Sequence, residues 1–130
     1  MADKMDTVED LMVTGLHYVL DFENKAVRGA KTMADATSDA EAKELFEKSA
    51  TMSETYAQRI QETFGKLGKP VETSENRIAD AMLHEVEGMI EQGKKGPVLD
   101  AALIVAASQM QHYRVASYGS MLVYAKLIGK

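Results

Sequence analysis

The stretch 97–128, PVLDAALIVAASQMQHYRVASYGSMLVYAKLI, decides the fold. It has no charged residue from Ala101 to Tyr113, and none again from Val115 to Ala125. Leu99, Leu103, Ala106, Met110, Tyr113, Ser117, Ser120, Tyr124 and Leu127 recur in alternating steps of four and three. That is the spacing of a helix packed along nearly parallel neighbours. Pro97 suits its first turn. A membrane span needs ~20 mainly apolar residues, and Gln109, Gln111, His112 and Arg114 cut this stretch into two shorter runs. The reading is a helix over 97–128 enclosed by protein on most sides, not a span.

Working back toward the amino terminus, the same steps recur. Asp6-Thr7-Val8-Glu9 and Ser38-Asp39-Ala40-Glu41 each fit a capping box. The first opens a helix over about 7–35, with Val8, Met12, Gly15, Val19, Phe22, Ala26, Gly29 and Met33 on its seam. The second opens a helix over about 39–67, with Ala42, Phe46, Ser49, Ser53, Tyr56, Ile60, Phe64 and Leu67. Its seam is richer in hydroxyls than a plain core requires. Ser74 is expected to start a shorter helix over about 75–92, with Ile78, Met82, Val86 and Met89 on one face. Two long helices joined by a few residues around Thr37 must form an antiparallel hairpin. The fold class is therefore all-α: an antiparallel helical bundle of three long helices and one short crossover helix, within a single domain over 1–130.

Three matched helices and one short one do not close a four-helix bundle. The last helix also has more apolar surface than two neighbours can cover. A homo-oligomer, at least a dimer, is therefore expected to complete it.

Composition removes several function classes. The chain has 130 residues, a net charge of −5 and no cysteine. Without cysteine there is no disulfide framework, zinc ribbon or thiol nucleophile. The acidic balance argues against nucleic acid, whose binders present a basic face. The charge is also uneven, because residues 98–130 carry a net +2 and the first 97 a net −7. Met1 to Asp10 is polar with four acids, unlike a signal peptide, so the cytoplasm is the expected compartment.

Candidate chemistry is sparse. Di-iron bundles use a Glu from each of two helices plus a Glu-x-x-His from each of two others. Here the residues three before His17, His84 and His112 are Thr14, Ala81 and Gln109. A complete site of that type is not expected. His17 and Asp21 lie four apart and could share a ligand, although the solvent edge of the first helix is the plainer placement. His84-Glu85-Val86-Glu87 reads as a solvated face. Glu23, flanking the seam between Val19 and Ala26, is the acid best placed to look inward. Metal ligation is one role for it; bonding to Tyr or Ser hydroxyls is another. Gln111, His112 and Arg114 interrupt the most apolar helix, either as a hydrogen-bonded layer pairing Glu23 with Arg114 or as part of a ligand site. No nucleophile elbow or phosphate loop is present.

Asp100-Ala101-Ala102-Leu103-Ile104-Val105-Ala106-Ala107, then Gln111-His112-Tyr113 and Ala116-Ser117-Tyr118-Gly119, closely resembles the ferritin-like family typified by YciE and YciF. Phe22-Glu23-Asn24, Phe64-Gly65-Lys66-Leu67-Gly68 and Glu87-Gly88-Met89-Ile90 support the match. The resemblance implies a ferritin-like bundle, a bacterial stress-response setting and a suspected di-metal centre. It also marks departures. Two family acids of the last helix are replaced by Gln111 and Arg114, leaving His112. The acid and His expected in the second helix fall near Met52 and Tyr56, with Glu54 turned away. A further acid-bearing helix of the family lies beyond Lys130, to be supplied either by another subunit or by a longer product of which these 130 residues are a piece.

The expectation is an oligomeric protein of this type with a degenerate di-metal site, no cofactor, and a structural or protective role rather than an enzymatic one. Its polar layer would hold Arg114, Tyr56 and Tyr113. The competing expectation is an iron- or manganese-binding protein or oxidase using Glu23, His112, Gln111 and groups from a partner chain. A third is a helical adaptor with a groove for a peptide helix.

Overall fold

The computed structural model describes residues 5–129. Four helices follow one another: α1 (Val8–Ala36), α2 (Ala40–Lys66), α3 (Arg77–Gln92) and α4 (Pro97–Leu127). No strand occurs among the described residues. The elements are those the periodicities predict, with shifts at the caps. Thr7 rather than Asp6 caps α1, in a reciprocal box with Asp10. Asp39 rather than Ser38 caps α2 through the Ala42 amide, because Ser38 is engaged elsewhere. Asn76 rather than Ser74 caps α3.

Helix α1 is the centre of the molecule: α2, α3 and α4 all pack on it, and α3 also packs on α4. Its buried seam follows the expected four-three steps through Met12, Val19, Phe22, Ala26 and Met33. On α2 the small residues Ala50 and Ala57 are buried, whereas Ser49 is exposed. On α3 the buried face is Ala79, Leu83 and Val86. Ile78, expected on that face, is exposed.

The apolar interior falls into two clusters. One joins Phe22, Ala26 and Met33 of α1 to Phe46 of α2, Val86 of α3 and Leu99, Leu103 and Met110 of α4. The other joins Met12, Leu16 and Leu20 of α1 to Ala57, Ile60 and Phe64 of α2. On α4 this second cluster is met only by partly buried residues, among them Tyr118, Met121 and Tyr124. The expected seam positions Ser120 and Leu127 are exposed, because the buried stripe has rotated to Met121 and Ile128. Gly15 lets α4 lie close to α1 here: a β-carbon on it would strike the thioether of Met121.

Candidate functional site

A polar layer separates the two clusters. Glu23 on α1 is fully buried. It faces the middle of α4 because it lies four residues from Val19 and three from Ala26, all buried on the same helix. Arg114 grips it with both ends of its guanidinium, Nε to Oε2 at 2.9 Å and Nη2 to Oε1 at 2.9 Å. Such paired, charge-assisted bonds are among the strongest a carboxylate makes. Tyr118, one helical turn further along α4, donates its hydroxyl to Glu23 Oε2. Arg114 Nη2 also donates to Ser53 Oγ of α2 at 2.9 Å, and Nη1 to Gln111 Oε1 at 2.5 Å.

Aromatic rings enclose the guanidinium. Its carbon is 5.3 Å from the ring centres of both Phe22 and Tyr56, within the range of a cation–π attraction. Tyr56 in turn meets Tyr118 edge-on, with centroids 6.0 Å apart. Burial disfavours the charge on Arg114, but its hydrogen bond and attraction to Glu23 outweigh this and hold its pKa above the ordinary value. Burial, followed by the bond to Glu23, raises the pKa of the Tyr118 hydroxyl far above that of a free tyrosine, so it stays a donor.

The structure brings Glu23, Arg114, Gln111 and Tyr56 together. It does not bring Tyr113 or His112 to them. Tyr113 packs against Phe22 and accepts from Asn76 Nδ2 at 2.9 Å. His112 is exposed, with Nδ1 at 2.8 Å from Ser108 O of its own helix. Near the second-helix ligand positions, Glu54 is exposed and pairs with Lys31 at 3.6 Å. His17 is buried rather than at a solvent edge, stacked on Phe64 and 3.7 Å from Glu72. Asp21 accepts from Lys25 and from the Asn76 amide. His84, Glu85 and Glu87 are exposed.

Tyr118, Ser53 and Asn76 were the members least visible in the sequence. Tyr118 follows Arg114 by four, the spacing that places two side chains on one helix face. Ser53 belongs to the hydroxyl-rich seam of α2. Asn76 caps α3, reaches Tyr18 O at 3.1 Å and Tyr113 Oη, and so ties three helices. Asp100 forms a second clasp. It accepts from Thr37 Oγ1 at 2.7 Å, Ser38 N at 2.9 Å and Ser38 Oγ at 2.5 Å, holding the α1–α2 turn to the start of α4. Among the described residues, no group of three or more His, Cys, Asp or Glu could hold a metal ion, and no helix is long and apolar enough to cross a membrane.

The sequence model of the family described as "domain of unknown function (DUF892)" matches residues 7–130. Protein YciF of Escherichia coli strain K12 is 29% identical over 133 residues, covering 96% of this chain and 76% of that protein. The crystal structure of the E. coli stress protein YciF superimposes with a TM-score of 0.90 at 27% identity, over 96% of this chain and 79% of that one. A protein of Rhodopseudomonas palustris, YcfI, described as a candidate structural protein, gives a TM-score of 0.93 at 22% identity. That match covers 99% of this chain and 82% of that one, and it shows the fold alone. The chain belongs to the DUF892 family and has the YciF-type helical fold.

Proposed function

From that membership, we propose that this chain is a stress-associated structural protein of the ferritin-like type. Its di-metal position has become a guanidinium–carboxylate clasp, and its bundle is completed by another copy. One observation carries this reading: Arg114 and Tyr118 already engage both oxygens of Glu23.

A di-metal centre requires several carboxylates and imidazoles converging on the ions. Here the buried acid of the layer, Glu23, faces a fixed cation, which supplies the positive charge that a metal would bring. His112, the family-like imidazole, faces away from Glu23 on the outer side of α4. This donor set does not fit iron or manganese. The layer instead fixes register between helices, since Glu23, Ser53 and Arg114 satisfy one another only when α1, α2 and α4 are aligned. Buried ion pairs suit that role better than they suit raw stability. The cytoplasm is the setting we assign it.

Metal content measured on protein purified without chelator tests the reading. Less than about a tenth of an equivalent of iron or manganese per chain is expected. One or two equivalents per chain, lost in Glu23→Gln, would overturn it in favour of the metal-binding alternative.

A further inference from the structure

A cleft of about 1030 Å³ opens where the connection from α2 to α3 crosses α1. Its walls come from α1, that connection, the first turn of α3 and Tyr113 of α4, and no lining residue lies beyond Tyr113. Two of the lining residues, His17 and Asn76, are buried. The connection does not hang loose over them. Ser74 N donates to His17 O at 3.3 Å, Asn76 N to Asp21 Oδ2 at 2.8 Å and Asn76 Nδ2 to Tyr18 O at 3.1 Å. Small-molecule sites are largely preformed concavities of about 300–1,000 Å³. This cleft has the size and, through those three bonds, the fixed wall of such a site.

The polar groups around it keep capacity for a ligand. Asn76 is saturated: Nδ2 serves Tyr18 O and Tyr113 Oη, and Oδ1 accepts from Ala79 N. Because Tyr113 Oη is the acceptor in its bond, the phenol's own proton is turned away from Asn76 and is available to a ligand. Glu72 lies 3.7 Å from His17 Nε2, too far for a hydrogen bond, and its carboxylate is half-exposed. Arg77 adds exposed N–H donors at the start of α3. Tyr18 and Ile78 are exposed as well, and give the cleft an aromatic face and an aliphatic edge.

Charge decides the class of ligand. A carboxylate or phosphate entering the cleft meets Glu72 and Glu75, and an ammonium meets Arg77. Taking an ion of either sign out of water beside a like charge is costly. A neutral ligand rich in hydroxyls meets no such conflict. Each hydroxyl donates once and accepts twice, so it serves Glu72, Arg77 and Tyr113 alike. The apolar C–H face of such a ligand has the Tyr18 ring to cover it.

We propose that this cleft binds a neutral sugar of one or two rings, with Tyr18 as the stacking platform, Tyr113 and Arg77 as donors and Glu72 as acceptor. None of Glu23, Ser53, Arg114 and Tyr118 lines it, so its occupancy does not depend on the structural role proposed above. An open cleft covers one side of a ring, and the dissociation constant expected is on the order of 1 mM.

Amide chemical shifts of the isotope-labelled full chain, followed as maltose is raised to about 50 mM, test the site. Saturable shifts are expected at residues 17–18, 72–78 and 113, with residues 45–60 of α2 unmoved. Tyr18→Ala removes the ring and keeps the backbone carbonyl that Asn76 uses; it is expected to weaken binding at least about tenfold. Arg77→Ala repeats the test at an exposed residue and is expected to weaken binding about threefold, the loss of one hydrogen bond. Circular dichroism checks that both variants remain helical. Shifts that fail to saturate with maltose, or an affinity unchanged in the two variants, overturn the proposal. Saturable shifts with putrescine or acetate where maltose gives none also overturn it, and assign the cleft to an ion.

Discussion

The two halves of α4 are alike in composition and opposite in environment. Every fully buried residue of α4 lies between Leu99 and Met110. There the helix runs beside α1 and α3, and its inward side chains meet Phe22, Met33 and Val86. Past Arg114 the inward residues, Tyr118, Met121 and Tyr124, are only partly covered. The cause is length. Helix α3 has 16 residues against 31 in α4, so it covers about half of its neighbour. Hydrophobic composition therefore does not tell which part of a helix is core; the reach of the adjacent helix does.

Three substitutions break or sharpen that contrast. Glu23→Ala removes the partner of Arg114 at the border of the two halves and leaves a guanidinium among Phe22 and Tyr56. Breaking a buried pair from one side costs about 3 kcal/mol or more, read as a fall in the urea midpoint with an unchanged slope. Replacing both residues, Glu23→Leu with Arg114→Leu, recovers most of that loss. A double variant no more stable than the single one would mean the layer is not acting as a pair.

Asn76→Ala is expected to cost about 1–2 kcal/mol, through a lost helix cap and the bonds to Tyr18 and Tyr113. Its signature is regional. Amide exchange rises in α3 and residues 99–110 and stays the same at residues 115–127, so a uniform rise would erase the distinction between the halves.

Asp100→Asn has the smallest effect of the series, present at neutral pH and fading on the acid limb. Hydrogen bonds from the Ser38 hydroxyl, the Ser38 amide and the Thr37 hydroxyl hold the Asp100 pKa below the ordinary carboxylate value, against the opposing effect of burial. A depressed folded-state pKa gives stability that is complete above the unfolded value of about 4 and lost as pH falls through the folded one. Thermal melts from pH 5 to pH 2 therefore steepen with Asp100 and flatten with Asn. Equal slopes would remove the clasp from the account.

Much of this was legible in the sequence because it rests on periodicity. Four-three steps and short connections dictate the hairpin, the short crossover and the long final helix. The Glu23–Arg114 pairing was legible for a different reason: an acid beside one seam and a cation interrupting another must both be satisfied when buried. What the sequence concealed lies in side-chain reach. Asn76 and Ser74 are equivalent N-cap residues by type, and the bond to Tyr113, which only the fold supplies, distinguishes them. His112 and Tyr113 are adjacent yet point to opposite surroundings, because neighbours in a helix are 100° apart. Gln111, by contrast, lies three before Arg114 and so shares its side.

The Asp100 clasp bears on the order of events in folding. It joins residues 62 and 63 positions apart, whereas α1 and α2 meet across a three-residue turn. Local contacts form early because closing a short loop removes little chain entropy. The α1–α2 hairpin is thus the natural nucleus, and its turn is locked only when the start of α4 arrives. Loss of the Asp100 carboxylate should accordingly accelerate unfolding and leave the refolding rate nearly unchanged, a φ-value close to zero at a residue bonded to the earliest part of the chain.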